Sequence, residues 1–229
     1  MKAIPLTAGE SLHLTQSKFL GRPYLPIGFE YPKSRSGSPM ILVAQLNFSE
    51  IPHLQGYPKS GILQLFLPGN DWYDMEEFRV LYHPDANLAF QTNFDFLKPE
   101  LYDESPIDCE HRLEFTKVIE PGGAQDFRFG MTFGDLSYYE FHEKLSSEEQ
   151  AEMDAYFEST GHKVGGYGYF TQADPRDYDP ALDDDVQLFQ IDSEGRIMWG
   201  DVGVAHVFLN ANDLKALDFG KAYFYYDCC

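Results

Sequence analysis

One pattern is written twice along this chain. Residues 163–193, set back by 145 positions, fall on residues 18–48 without a gap: Lys163 on Lys18, Gly166 on Gly21, Tyr169 on Tyr24 and Gln190 on Gln45. Three residues are then lost from a loop, and the match resumes at an offset of 142. There GVAHVFLNAND (203–213) lies over GILQLFLPGND (61–71), and further on Lys221 meets Arg79 and Asp227 meets Asp85. A fixed offset constrains the fold before any local preference does, because two copies of one unit bury the same faces. Each copy reads as about three strands and one short helix, too little apolar surface to fold alone. The expectation is a single α+β domain over residues 1–229. Two pseudo-symmetric repeats, about 18–85 and 163–227, would pack around a local two-fold axis, and the uncopied insertion 86–160 would extend the sheets.

The local patterns supply the elements. MILVAQLNF (40–48) and DVQLFQID (185–192) are apolar runs of strand length, rich enough to be covered on both faces. GILQLFLP, RVLYHP, GVAHVFLN and KAYFYYDC give the remaining repeat strands. In the insertion, HRLEFTKVIE (111–120) alternates as a strand with one wet face. SSEEQAEMDAYFEST (146–160) predicts a helix. Ser146 and Glu149 form a capping box, Met153, Tyr156 and Phe157 an apolar stripe, and Gly161 the stop. Residues 1–17 read as a polar lead-in without an element.

Charge narrows the partners. Seventeen Lys and Arg stand against 37 Asp and Glu, a formal net charge of −20, while hydrophobic residues reach 43% and aromatics 16%. The apolar content predicts a packed chain. The charge argues against nucleic acid, which needs a basic footprint, and against an anionic membrane surface. It suits a basic protein partner or a cationic ligand, and equally plain solubility. MKAIPLTAGE lacks the apolar core of a secretory signal, and no apolar run approaches the roughly 20 residues of a membrane span. Cys109, Cys228 and Cys229 make no disulfide framework and read as free thiols in a reducing cytoplasm.

Around GHKVGGYGYFTQADPR, ILVAQLNFSEIP and GILQLFL, the chain resembles the YwqG-like family of bacterial proteins. The resemblance runs from about Lys18 to the end and implies a compact α+β fold in a soluble bacterial protein. It brings no established catalytic residues, because that family is itself a domain of unknown function.

The polar residues nearest the repeated pattern form the candidate site. Gln45 and Gln190 occupy equivalent strand positions; His162, Gln172 and Arg176 cluster near the glycine-rich turn. Together they suggest ligand-binding groups facing a shared groove. Arg176 could fork onto a ligand carboxylate, but an internal tether to Asp174 is the simpler reading. GGYGYF matches neither glycine-rich phosphate-loop pattern, so its glycines read as turn formers. Asp183–Asp185 with Asp177 and Asp179 departs from the calcium-loop pattern, and the histidines show no zinc spacing, so neither a metal nor a cofactor is expected. Cys109, Glu110 and His111 are sequence neighbours whose side chains alternate across a strand, which speaks against a thiol–base pair. The expected function is a non-catalytic, immunity-like interaction module with a basic partner. The alternative is an enzyme or small-molecule sensor with its site between the repeats.

Overall fold

The computed structural model describes residues Met1–Cys229. Strands β1 (Lys2–Pro5), β2 (Lys18–Phe19), β3 (Ile41–Asn47), β4 (Ile62–Leu67) and β5 (Arg79–His83) precede β6 (His111–Glu114) in the insertion. The insertion continues through β7 (Thr132–Phe133), β8 (Leu136–Ser137), α1 (Tyr138–His142) and α2 (Ser147–Tyr156). The second repeat holds β9 (Lys163–Val164), β10 (Asp185–Asp192), β11 (Val204–Asn210), α3 (Ala211–Ala216) and β12 (Tyr223–Asp227). All pairing is antiparallel, in a six-stranded sheet ordered β1-β6-β2-β3-β4-β5, a four-stranded sheet ordered β12-β11-β10-β9 and a small β7-β8 ribbon. The fold is α+β.

The strand pairings of the two segments recur in register. Lys18 lies opposite Gln45 and Lys163 opposite Gln190; Gln45 lies opposite Gln64 and Gln190 opposite His206. Each β3-type strand carries a bulge at the same step, at Val43 between Leu42 and Ala44, and at Leu188 between Gln187 and Phe189. The backbone bonds at the bulges also repeat: Leu20 N–H donates to Val43 O at 3.0 Å, and Gly165 N–H to Leu188 O at 3.1 Å. The third strand corrects the sequence alignment. His83 faces Ile62 and Asp227 faces Val204, so Asp227 corresponds to His83 and Tyr223 to Arg79. The α3 connection is longer than its counterpart after β4, and an ungapped comparison slides the last strand by two residues.

Both sheets contribute to one core. Phe19, Val43, Leu46, Leu63 and Leu65 of the first pack in the same cluster as Phe189, Ile191, Val207 and Phe224 of the second. Each such side chain contributes roughly 1.5–3 kcal/mol on burial. A shared core is what units too small to fold alone require. Beyond the first sheet's other face lies a second cluster of Leu25, Tyr31, Met40, Leu42, Phe66 and Phe94.

Several local expectations change. The lead-in is not featureless: β1 pairs with β6 at the sheet edge. The β6 strand ends at Glu114, short of the predicted 120. The capping box of α2 is present, with Ser146 accepting from Glu149 N–H, but the helix stops at Tyr156 and Phe157 is its C-cap. Gly161 therefore does not end it. The expected apolar stripe is also absent as a face, since Tyr156 is 64% exposed and only Phe157 is buried. No helix is long and apolar enough to cross a membrane, and all three cysteines are free thiols.

Candidate functional site

The two glutamines are staples of the fold. Gln45 Oε1 accepts from Tyr24 N–H (2.8 Å) and from Gln64 Nε2 (2.8 Å), while its Nε2 donates to Leu14 O (2.7 Å) and Gln16 O (2.8 Å). Gln190 repeats this 145 residues on, accepting from Tyr169 N–H (2.9 Å) and donating to Ser159 O (3.1 Å) and Gly161 O (2.9 Å). A buried amide has to be satisfied, and here it closes the loop before each repeat onto the outer face of its own sheet. Neither amide is free to face a ligand.

His162 is buried at the seam between the sheets, edge-on to Phe19 at 5.3 Å. Its Nδ1 accepts from Asp192 N–H at 3.0 Å, and Nε2 faces Glu194 Oε2 at 3.5 Å. Burial, helped by the N-terminal charge and His111, lowers its pKa to about 4, so the ring is neutral. Gln172 is tied to the C-terminal strand, its N–H on Asp227 Oδ2 (2.8 Å) and its Nε2 on Cys228 O.

Arg176 is fully buried in a carboxylate cage. Its Nε and Nη2 fork onto Asp174 at 2.9 and 2.7 Å, Nη2 also reaches Asp126 at 2.9 Å, and Nη1 donates to Asp185 O at 3.1 Å. The guanidinium is sandwiched between Phe127 and Phe208, each ring centroid 4.6 Å away. The Asp174–Arg176 tether is thus present, and Asp126 of the insertion locks it. Asp126 binds Arg128 as well, through Nε and Nη2, both at 2.7 Å. Burial alone would raise its pKa, but these bonds and the two guanidinium charges hold it below the usual carboxylate range. The structure thus joins Gln190 to the turn carrying His162, places Arg176 in its own cage, and leaves Gln45 on the other sheet.

A buried lysine beside a glycine recurs in both repeats. Lys18 and Lys163 are each buried beside a glycine of positive φ, Gly21 (89°) and Gly166 (79°). Each meets a glutamate from the stretch around β6, Glu110 just before it and Glu120 beyond its end. Glu110 lies 3.6 Å from Lys18 Nζ, and Glu120 pairs closely with Lys163. A Cβ on Gly21 or Gly166 would meet these carboxylates, and the positive φ at both positions itself favours glycine. Glu120 Oε2 also accepts from Tyr167 N–H at 3.0 Å. Burial lowers the pKa of Lys18 against the attraction of Glu110, and raises that of Glu110. The equivalence of Lys18 and Lys163 was legible in the repeat; nothing in the sequence marked Glu110 and Glu120 as their partners, or Asp126 as the partner of Arg176.

Two clefts lie along the seam of the two repeats. One cleft of about 310 Å³ runs between Ile51–Tyr57 of the first repeat and Lys163–Tyr167 of the second, with Phe115, Lys117 and Glu120 as a further wall. It adjoins a second, of about 370 Å³, through Gln55, Tyr57 and Gly166; Arg128, Val186, Leu214 and Lys215 complete that one. Tyr57 is the hinge pin, its hydroxyl donating to Gln187 O across the repeats. None of Gln45, His162, Gln172, Arg176 or Gln190 lines either cleft.

Fold and clefts together define a double-sheet α+β protein with a mixed polar and apolar groove between its two sheet-bearing segments. The chain belongs to the family described as Domain of unknown function (DUF1963), whose model matches residues 17–228. No curated protein matches it.

Proposed function

We propose that this chain, a YwqG-like bacterial protein of the cytoplasm, is a ligand-binding module whose site is the groove between its repeats. One observation carries the reading: the groove's opposite walls belong to different copies, Ile51–Tyr57 to one and Lys163–Tyr167 with Leu214 to the other. A small molecule held there touches both copies at once. The combined volume and the apolar walls with a few polar groups suit a small organic ligand. Binding fits better than turnover, because the buried amine of the groove is held in an ion pair by Glu120, which suppresses its nucleophilicity.

The test is a thermal-shift screen of a metabolite panel against the native protein and against Leu54→Trp, which fills the groove. A ligand present at a hundred times its Kd stabilises by about 2.7 kcal/mol. In a chain of this size that is a rise of roughly 5–10 °C. A hit should be lost in the filled variant. Hits unaffected by Leu54→Trp, or a panel without hits, would refute the reading.

A second reading rests on the surface. Asp177, Asp179, Asp183 and Asp184 are exposed on one loop of a chain with net charge −20, and this favours a basic protein partner, as in an immunity-like role. Capture of such a partner should weaken with salt and with Asp183→Asn combined with Asp184→Asn. Capture indifferent to both would remove it.

A further inference from the structure

We infer that the occupant of the inter-repeat groove is an amphipathic anion, an alkyl or aryl carboxylate, sulfonate or phosphate monoester. The inference rests on the groove reading and adds the class of ligand.

The chain has more than two acids for every base, yet the groove inverts that ratio. Lys117, Lys163, Arg128 and Lys215 line the two clefts, and Glu120 is the one carboxylate among their lining residues. Two of these cations are already answered: Glu120 pairs with Lys163, and Asp126 with Arg128. The other two are not. Lys117 donates only to a carbonyl, His53 O at 3.1 Å, and Lys215 is in no ion pair. Where acids are so abundant, unpaired cations gathered along one groove leave a local positive field with no internal counter-charge.

The cleft of Arg128 and Lys215 is lined by no carboxylate, and Lys215 there has no ion-pair partner. Arg128 is part-exposed there, with a side-chain relative exposure of 34%. The anionic group belongs at this end. Past Tyr57 the walls turn apolar, with Ile51, Leu54, Phe115 and Val164, and these would cover the ligand's body. The turn between the clefts already shows its preference, since it holds the carboxylate of Glu120 on an ammonium and a backbone N–H. Glu110 sits in the equivalent place beside Lys18. An anionic oxygen is thus what this turn accepts in both copies of the unit.

The experiment uses two fluorescent probes of matched body on the full chain: 8-anilinonaphthalene-1-sulfonate, an anion, and N-phenyl-1-naphthylamine, its neutral counterpart. Four proteins are compared, the parent, Lys215→Glu, the exposed control Lys144→Glu and the filled variant Leu54→Trp, each shown by its melting curve to be folded. The expected result is saturable sulfonate binding that Lys215→Glu weakens about fivefold or more and Lys144→Glu leaves unchanged, with the neutral probe indifferent to both charges. If both probes bind alike, Lys215→Glu has no selective effect and Leu54→Trp abolishes both, the anion inference is overturned while the groove reading stands. If neither probe binds the parent, or Leu54→Trp changes nothing, both are overturned.

Discussion

Replacing Asp126 by alanine tests the cage around Arg176. Asp126 accepts two bonds from the Arg128 side chain, one from Arg128 N–H at 3.0 Å, one from Gly168 N–H at 2.7 Å and one from Arg176 Nη2 at 2.9 Å. Arg128 can turn to solvent when its partner goes. Arg176, fully buried, cannot, and Gly168 N–H is left without its acceptor. Removing one member of a buried ion pair costs about 3–5 kcal/mol, and an orphaned buried donor about 1–3. Asp174 still holds two of the guanidinium nitrogens, so the net loss should be about 4 kcal/mol rather than the full sum. At roughly 2–4 °C per kcal/mol for a chain of this length, the melting temperature should fall by about 10 °C. Differential scanning fluorimetry reads this directly, with Arg128→Ala as the comparison, expected to lose far less. The carboxyl's lowered pKa adds a pH signature. The cage's contribution is complete above the unfolded carboxylate pKa and is lost as pH falls through the folded one. The acid limb should therefore be shallower in Asp126→Ala. A shift under about 2 °C, or equal losses in Asp126→Ala and Arg128→Ala, would refute the reasoning.

Three further outcomes are expected. Gln45→Leu and Gln190→Leu each orphan one backbone N–H and two carbonyls, while Gln64 Nε2, the further donor to Gln45, keeps its bond to Tyr24 O; each variant should cost about 2–3 kcal/mol by urea unfolding. Losses differing by more than about 2 kcal/mol would break the equivalence. Gly161 and Gly166 have similar φ, 82° and 79°, but a Cβ meets nothing at the first and the Glu120 carboxylate at the second. Gly166→Ala should thus be worse than Gly161→Ala by about 1–2 kcal/mol, and equal effects would deny the crowding. Burial lowers the pKa of His206 to about 3 and that of His162 to about 4. Below pH 6.5 the unfolded chain takes up protons that the folded one refuses, so stability should drop from there toward about pH 3. His206→Gln should flatten this slope in urea midpoints taken across the range, and an unchanged slope would place the proton uptake elsewhere.

Much of the frame was readable from residue order because it depends on short-range pattern. Strands covered on both faces are nearly continuous apolar runs, and β3, β4, β10 and β11 appear where MILVAQLNF, GILQLFLP, DVQLFQID and GVAHVFLN predict them. The recurring pattern was legible at Lys18, Gln45, Lys163 and Gln190, whose pairings repeat residue for residue. It failed at β12, where a longer connection shifts the register by two residues. The two-residue strands β2 and β9 carry no periodicity of their own, and β1 is defined only by its partner β6. The groove was the least legible feature. Lys117, Arg128, Lys163 and Lys215 are scattered through the chain and meet only once both repeats and the insertion are folded. The glutamines attracted a functional reading because a polar group in a buried strand demands partners. Those partners were backbone atoms, which side-chain chemistry does not advertise.

The separate stapling of each unit by its own glutamine bears on how the chain could be taken apart. A break in the polypeptide near Gly130–Met131, at exposed positions between Asp126 and the β7-β8 ribbon, would sever no pairing of either large sheet. One fragment would keep the six-stranded sheet whole and the other the four-stranded one. The two pieces, expressed as independent polypeptides, would then need nothing but the common core, the Glu120–Lys163 clasp and the Asp126 cage to find each other again.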